Sequence, residues 1–137
     1  MNLMKRHQDK IYYEGSGNNP LPMYGIAVDS GWMPLVDTLA DKIAEIDIDN
    51  KVRFVQIKEK FGGLRFYTQF VNLNIKENAK DKELWDAVCK LISEAETQSY
   101  ITCEVCGQMG KLRNKFRQMK TLCDDHTEEY KKTRSLK

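Results

Sequence analysis

Two closely spaced residue pairs near the C-terminus constrain the fold more than any other feature of the sequence. Cys103 and Cys106 form a C-x2-C pair, and Cys123 and His126 form a C-x2-H pair after sixteen intervening residues. Each pair can give two ligands to one ion from a single tight turn, and four thiolate and imidazole ligands complete the tetrahedron of a structural zinc site. The spacing therefore predicts one structural Zn²⁺, with no open position for an activated water.

The alternative is that these residues are reduced bystanders or form two disulfides. No window approaches the roughly 18 consecutive apolar residues of a membrane helix, and residues 1–10 lack the apolar stretch of a signal peptide. We therefore expect a soluble, cytoplasmic protein. Because that compartment disfavours disulfides, it favours the zinc interpretation.

The residues around the two pairs predict a small module at 101–137. Gly107 follows the first pair, where a knuckle must turn, and the stretch from Lys111 to Thr121 can form a short hairpin. Asp124 and Asp125 are typical of a helix N-terminus and would place His126 in the first helical turn. A knuckle, a hairpin and a helix in this order resemble a treble clef.

The preceding segment predicts an α+β body at 31–100: a helix, a β-hairpin and a long helix. Helical apolar spacing extends from Met33 to Glu45 and from about Lys76 to Gln98, with Trp85 and Cys89 widening the second apolar face and Cys89 expected in the core. The two strand patterns between them run over 52–60 and 64–70.

The predicted hairpin carries three finer expectations. Val55 and Ile57 should share one face, with Phe54 and Gln56 on the other. Gly62 and Gly63 should supply the positive φ values of the turn. Residues 1–30 should form an irregular N-terminal lead-in, in which the loosely alternating stretch at 24–28 can add a third strand. Both helices should pack on the sheet that is built around the hairpin.

The charge distribution indicates two candidate sites for an anion. The net charge is only +2, but residues 101–137 hold nine basic and five acidic residues. In the first site, glycines would let a ligand approach the backbone while cations hold phosphate. Its candidate ligand-binding residues are Lys58, Lys60, Gly62, Gly63, Arg65 and Tyr67. An ordinary hairpin with cross-strand charge pairs is the alternative.

The second candidate site is the hairpin of the zinc module. Alternation could place four cations along one edge that follows a nucleic-acid backbone, with Phe116 available for stacking. These nucleic-acid-binding candidates are Lys111, Arg113, Lys115 and Arg117. The alternative is a solvated hairpin whose charges maintain solubility.

Several segments together resemble a family of short uncharacterised proteins common in tailed phages and prophages. The most specific parts are KEKFGGLRFY, from Lys58 to Tyr67, and the Cys/His quartet. The other parts are Gly31-Trp32, Glu94-Ala95-Glu96 with Ser99, Gly110 to Arg113, and Thr121 to His126. The resemblance implies a phage or mobile-element origin and a zinc site, but no activity.

The sequence holds no recognisable catalytic set. It has no second histidine near the zinc pairs, no nucleophile elbow, no deaminase signature and no functionally placed carboxylate pair. We therefore expect a non-catalytic binding protein for an anionic ligand, either a nucleic acid or a nucleotide signal, and a role in counter-defence would fit the resemblance. The alternatives are a module that binds and inhibits a host protein, with zinc as a scaffold only, and an enzyme with an open metal position.

Overall fold

The protein has the predicted α+β fold, seen in a computed structural model that describes residues 6–10 and 26–133. The body consists of β1 (Ile26–Ala27), α1 (Met33–Ile46), β2 (Val52–Lys60), β3 (Gly63–Phe70) and α2 (Ala79–Ser99). The C-terminal module adds β4 (Lys111–Arg113), β5 (Lys120–Leu122) and α3 (Asp124–Thr133). Short 3-10 turns cover Gln8–Lys10 and Ser30–Trp32. None of the helices in the described ranges is long and apolar enough to cross a membrane.

Both body helices form where the apolar spacing predicts them. Pro34 lies in the first turn of α1, where the absence of an N–H leaves no hydrogen bond unmade. The second helix starts at Ala79, three residues later than expected, because Asn78 caps it by accepting a hydrogen bond from the Asp81 amide. The core between helices and sheet includes Trp32, Val36, Leu39, Ile43, Val52, Phe54, Ile57, Leu64, Phe66 and Val88.

The predicted third strand is confirmed for the residues that the structure describes. Within the stretch at 24–28, β1 pairs in parallel with β2, and Ile26 lies opposite Ile57. The sheet order is β1-β2-β3, with β2 and β3 antiparallel. Most of the predicted lead-in at 1–30 lies outside the described residues.

The prediction of the strand faces is wrong because β2 contains a bulge. The register shifts between Phe54 and Gln56, so Val55 has no direct partner across the ladder. The extra residue reverses the alternation. Phe54 and Ile57 are consequently both fully buried.

The prediction of the hairpin turn is also partly wrong. Lys60 pairs with Gly63, so the two turn residues are Phe61 and Gly62, which have φ values of 55° and 81°. Gly63 instead begins β3. A side chain there would overlap the ring of Tyr100, so the second glycine provides space for helix packing.

Cys89 is exposed, which contradicts its predicted place in the core. Consecutive helical residues are rotated by about 100°, so the neighbour of the fully buried Val88 turns out of the core. Cys89 lies with Trp85, Phe70 and Ile75 in an open surface groove.

Asp47 organises the connection between α1 and β2. Its fully buried side chain accepts hydrogen bonds from the amides of Lys51 (2.7 Å) and Val52 (2.8 Å). It also forms an ion pair with Lys10, whose side chain is buried as well. One carboxylate thus joins the N-terminal 3-10 turn to the start of the central strand.

We expect Asp47→Ala to lower the free energy of unfolding by about 3–5 kcal/mol, because the buried Lys10 ammonium loses its counter-charge, keeping only a hydrogen bond to Asn50, and two amides lose their acceptor. Urea unfolding measures the loss. The exposed Asp49 in the same turn provides the control, and Asp49→Ala should change stability by less than about 0.5 kcal/mol. Equal losses in the two variants would contradict the role of Asp47.

Candidate metal centre

The structure brings the four predicted ligands into one cluster. The candidate ligand atoms of Cys103, Cys106, Cys123 and His126 all lie within 4.8 Å of one another. The Sγ atoms of Cys106 and Cys123 are 3.8 Å apart, and His126 Nδ1 lies 3.2 Å from Cys123 Sγ and 3.7 Å from Cys103 Sγ. This cluster could hold a metal ion.

The spacing of the ligand atoms is compatible with zinc. In a tetrahedral site with Zn–S distances of about 2.3 Å, two sulfurs lie about 3.8 Å apart and a sulfur and a nitrogen about 3.6 Å apart. Three of the six distances between ligand atoms, at 3.2, 3.7 and 3.8 Å, lie near these values, and all six are within 4.8 Å. The cluster is therefore compatible with a tetrahedral zinc site.

Each ligand pair is positioned by a local feature that the sequence predicts. In the first, Gly107 adopts a φ of 81° and its amide donates to the Cys103 carbonyl at 2.9 Å, which closes the knuckle. In the second, α3 begins at Asp124, so His126 lies in the first turn. The predicted hairpin joins the pairs as β4 and β5.

The orientation of His126 suits ligation through Nδ1. That atom faces the sulfurs, whereas Nε2 lies 3.7 Å from a carboxylate oxygen of Glu129, one turn along the helix. A metal on Nδ1 leaves the ring proton on Nε2, and a carboxylate beside that proton stabilises the orientation of the ring.

The thiols of Cys103 and Cys106 differ in how readily they ionise. Burial opposes ionisation of Cys103, but hydrogen bonds from three nearby backbone amides outweigh it and lower the pKa to about 7. The Gln108 amide favours the Cys106 thiolate, yet desolvation and the adjacent sulfurs raise the pKa of Cys106 above its usual value. Adjacent thiolates repel one another, so a cation is needed to hold all three ionised.

The knuckle packs directly against the start of α1. A Cβ at Gly31 would overlap the carbonyl oxygens of Cys103 and Glu104, so only glycine allows this approach. Beside it, the fully buried Trp32 donates from Nε1 to the Thr102 carbonyl at 2.8 Å. The backbone of the metal module thus forms part of the surface against which the body folds.

A partly buried charge network joins the module to β2. Lys120 Nζ lies 3.4 Å from a carboxylate oxygen of Glu59 and 3.6 Å from one of Glu104. Burial raises the pKa of Glu104, an effect that the charge of Lys120 opposes. The second oxygens of these carboxylates accept from the amides of Gly62 and Asp29. The network connects three segments distant in sequence.

Contacts with the module and with α2 account for both glycines of the first candidate anion site. The Leu112 side chain fills the space beside Gly62, and Tyr100 fills the space beside Gly63. Thr121 adds a hydrogen bond to the Gly62 carbonyl at 2.6 Å. The space beside each glycine is thus filled by a side chain of the protein itself.

The four side chains of this candidate site lie on one face of the hairpin, opposite the buried Leu64 and Phe66. Cross-strand pairing places Lys58 beside Arg65. Tyr67 is 41% exposed, and Lys60 is exposed at the end of β2. We call this surface the outward face; by the strand register it comprises Arg53, Gln56, Lys58, Lys60, Arg65, Tyr67 and Gln69.

The second candidate site does not form a continuous basic edge. Strand β4 ends at Arg113, which is bound to the Leu122 carbonyl and to Asp124, while Lys115 and Arg117 lie in the connection to β5. Phe116 is only 5% exposed and packs against Tyr130, with ring centroids 4.6 Å apart. The expectation that Phe116 is available for stacking is therefore wrong: this small module uses its one phenylalanine as core.

Sequence reasoning missed the residues that dock the module. Trp32, Glu104 and Lys120 each contact a segment about 60 to 75 positions away, and no local pattern in the sequence indicates these contacts. One signal could have found Glu104. It lies between the predicted ligands Cys103 and Cys106, which is an unusual place for a charged residue unless it is solvated. Comparison of the chain with protein-family models, curated proteins and solved structures finds no match.

We expect one metal ion per chain and loss of that ion in Cys106→Ser. Because metal binding supplies folding free energy, amides after residue 100 should lose protection from hydrogen exchange in the variant. Cys89→Ser is the matched control, since Cys89 lies outside the cluster, and it should keep both metal and protection. Well under one metal ion per freshly purified chain, or full protection in Cys106→Ser, would contradict the site.

The docking of the knuckle predicts that Gly31→Ala weakens metal binding from 72 positions away in sequence. The added methyl must displace backbone atoms of the knuckle, and overpacking of this kind costs about 1–3 kcal/mol. A chelator should remove the metal faster, and the melting temperature should fall. Thr38→Ala on the exposed face of α1 should change neither, and unchanged chelation kinetics in Gly31→Ala would disprove the coupling.

Proposed function

We propose that the cluster holds a structural zinc ion and that the protein is a non-catalytic binder of single-stranded nucleic acid, which it contacts through the outward face. Four protein ligands match the closed coordination of structural zinc sites. The zinc would stabilise the module, and the module supports the hairpin turn through Leu112, Thr121 and Lys120. Metal and binding surface then belong to one rigid unit.

The observation that carries the proposal is the placement of like charges opposite each other. Lys58 and Arg65 are direct cross-strand partners, an arrangement that destabilises a hairpin. The charge of Arg65 is partly compensated by an ion pair with Glu96 at 2.9 Å. Within the described residues, Lys58 and Lys60 have no acidic partner. An anionic ligand would relieve the repulsion between these like charges, so the surface is well suited to bind one.

Exposed aromatic rings lie among these cations. Lys58 Nζ is 5.8 Å from the ring centre of Tyr67, and Lys60 Nζ is 5.5 Å from that of Phe61, which is 61% exposed. Alternating cations and rings are the combination that binds unpaired strands, because phosphates meet the cations while bases stack on the rings.

The shape of the surface favours a strand over a single nucleotide. From Arg53 to Lys60 the face extends roughly 23 Å at about 3.3 Å per residue, which accommodates several nucleotides. Gln56 and Gln69 add amide groups that can donate to and accept from base edges. The two glycines are already covered by the protein, so the ligand would meet side chains rather than a glycine-lined pocket.

The resemblance to phage and prophage proteins supports the further proposal that the chain comes from a phage or another mobile element. Binding of nucleic acid strands, including in counter-defence, would fit that origin. A host protein as the partner of the outward face is the alternative, and it is an outcome of the following experiment.

We expect Lys58→Glu combined with Lys60→Glu to reduce affinity for a fluorescent oligothymidylate at least tenfold in an anisotropy titration. The slope of log affinity against log salt should fall in magnitude by about 1.4 or more, since two phosphate contacts are lost. Tyr67→Ala should weaken binding by about 1–3 kcal/mol through lost stacking, with little change in that slope. Arg65 is left intact because reversing it would place a carboxylate beside Glu96.

The matched control is Lys42→Glu combined with Lys90→Glu, which makes the same change in net charge on exposed helical positions. It should bind almost as the unaltered protein does. Equal losses of affinity in both double variants would mean that the effect arises from net charge and not from the outward face. No binding by the unaltered protein would exclude the nucleic-acid function and favour a protein partner.

A further inference from the structure

A second cationic feature lies on the metal module, at a distance in sequence from the outward face. A cavity of about 230 Å³ opens between β4, the connection that follows it and α3. Its polar lining consists mainly of cationic side chains, and none of the described residues that line it is acidic. The residues that matter here are Lys111, Arg113, Asn114, Lys115, Phe116 and Lys131.

Two of the four cations are already compensated, and two are not. Arg113 pairs with Asp124 at 2.9 Å, and Lys131 pairs with Glu128 at 3.2 Å. In the part of the chain that the structure describes, neither Lys111 nor Lys115 forms an ion pair of its own, although the charge of Lys111 adds to that of Arg113 in lowering the pKa of Asp124. The pocket therefore keeps an excess of about two positive charges, which matches the charge of a phosphate monoester.

The walls of the pocket are built into the module. Phe116 is held in the small core against Tyr130, and Arg113 is fixed by two hydrogen bonds to the Leu122 carbonyl. Leu122 immediately precedes the metal ligand Cys123. The frame that holds the cations is thus the same hairpin that joins the two ligand pairs.

We propose that this pocket binds the phosphate group of a phosphate monoester, either a free mononucleotide or the 5′ end of a nucleic acid strand. The ammonium groups of Lys111 and Lys115 would hold the phosphate as point charges, and the Asn114 amide can donate to a further oxygen. Leu112, which is 39% exposed, gives one side of the pocket an apolar surface suited to a sugar or a base. This binding does not depend on the outward face.

The test is a titration of the metal-loaded, isotope-labelled protein with adenosine monophosphate, adenosine and inorganic phosphate, followed by amide chemical shifts. Adenosine monophosphate should give saturable shifts in residues 111–116 and 127–131, and inorganic phosphate should shift the same amides. Adenosine should not. Lys111→Gln combined with Lys115→Gln should weaken binding of adenosine monophosphate at least tenfold, whereas Lys80→Gln combined with Lys90→Gln should leave it unchanged.

Two further measurements assign the source of the phosphate and separate this site from the proposed function. A 5′-phosphorylated oligothymidylate that binds at least tenfold more tightly than its 5′-hydroxyl form assigns the pocket to a strand end, and equal binding of the two assigns it to free mononucleotides. Lys58→Glu combined with Lys60→Glu should retain binding of adenosine monophosphate. The proposal is overturned if no phosphate probe shifts these amides, or if Lys111→Gln with Lys115→Gln leaves the shifts intact.

Discussion

The contact between the knuckle and the start of α1 is the constraint on which the rest of the structure depends. At Gly31 the backbone of one segment lies against the carbonyl groups of another, and the indole of Trp32 is satisfied only by the Thr102 carbonyl among the described residues. Because a fully buried indole N–H without a partner is costly, the body core is complete only when the knuckle is in place. Folding of the body and assembly of the metal cluster are therefore linked events.

The Cys/His cluster and the main elements could be predicted because their signals are local. A pair such as Cys103 and Cys106 can reach one ion from a single turn, and the apolar stripe of α1 repeats within 14 residues. The docking of the module could not be predicted in this way. It depends on contacts such as Gly31 with Cys103, and no local pattern in the sequence indicates that these two residues meet.

Three errors have a common physical origin, since each concerns a side chain whose environment is set by packing. One extra residue at Val55 reverses the faces of β2, and periodicity does not reveal a bulge. Phe116 is drawn into the core of a module that has few other apolar residues to bury. Cys89 lies outside the buried apolar stripe of α2, which is narrower than the apolar residues of the helix indicate.

The docking of Leu112 over Gly62 has a consequence for how such proteins can diversify. If residues 101–133 were transplanted onto an unrelated body, Leu112, which is already 39% exposed, would lose its contact with Gly62, and the new body would need a glycine turn of the same shape to restore that contact. Conversely, the body without the module would display a bare turn and an unpaired Glu59. The two parts are expected to be inherited as one unit, with Gly31, Gly62 and Lys120 varying only together with the surfaces that they meet.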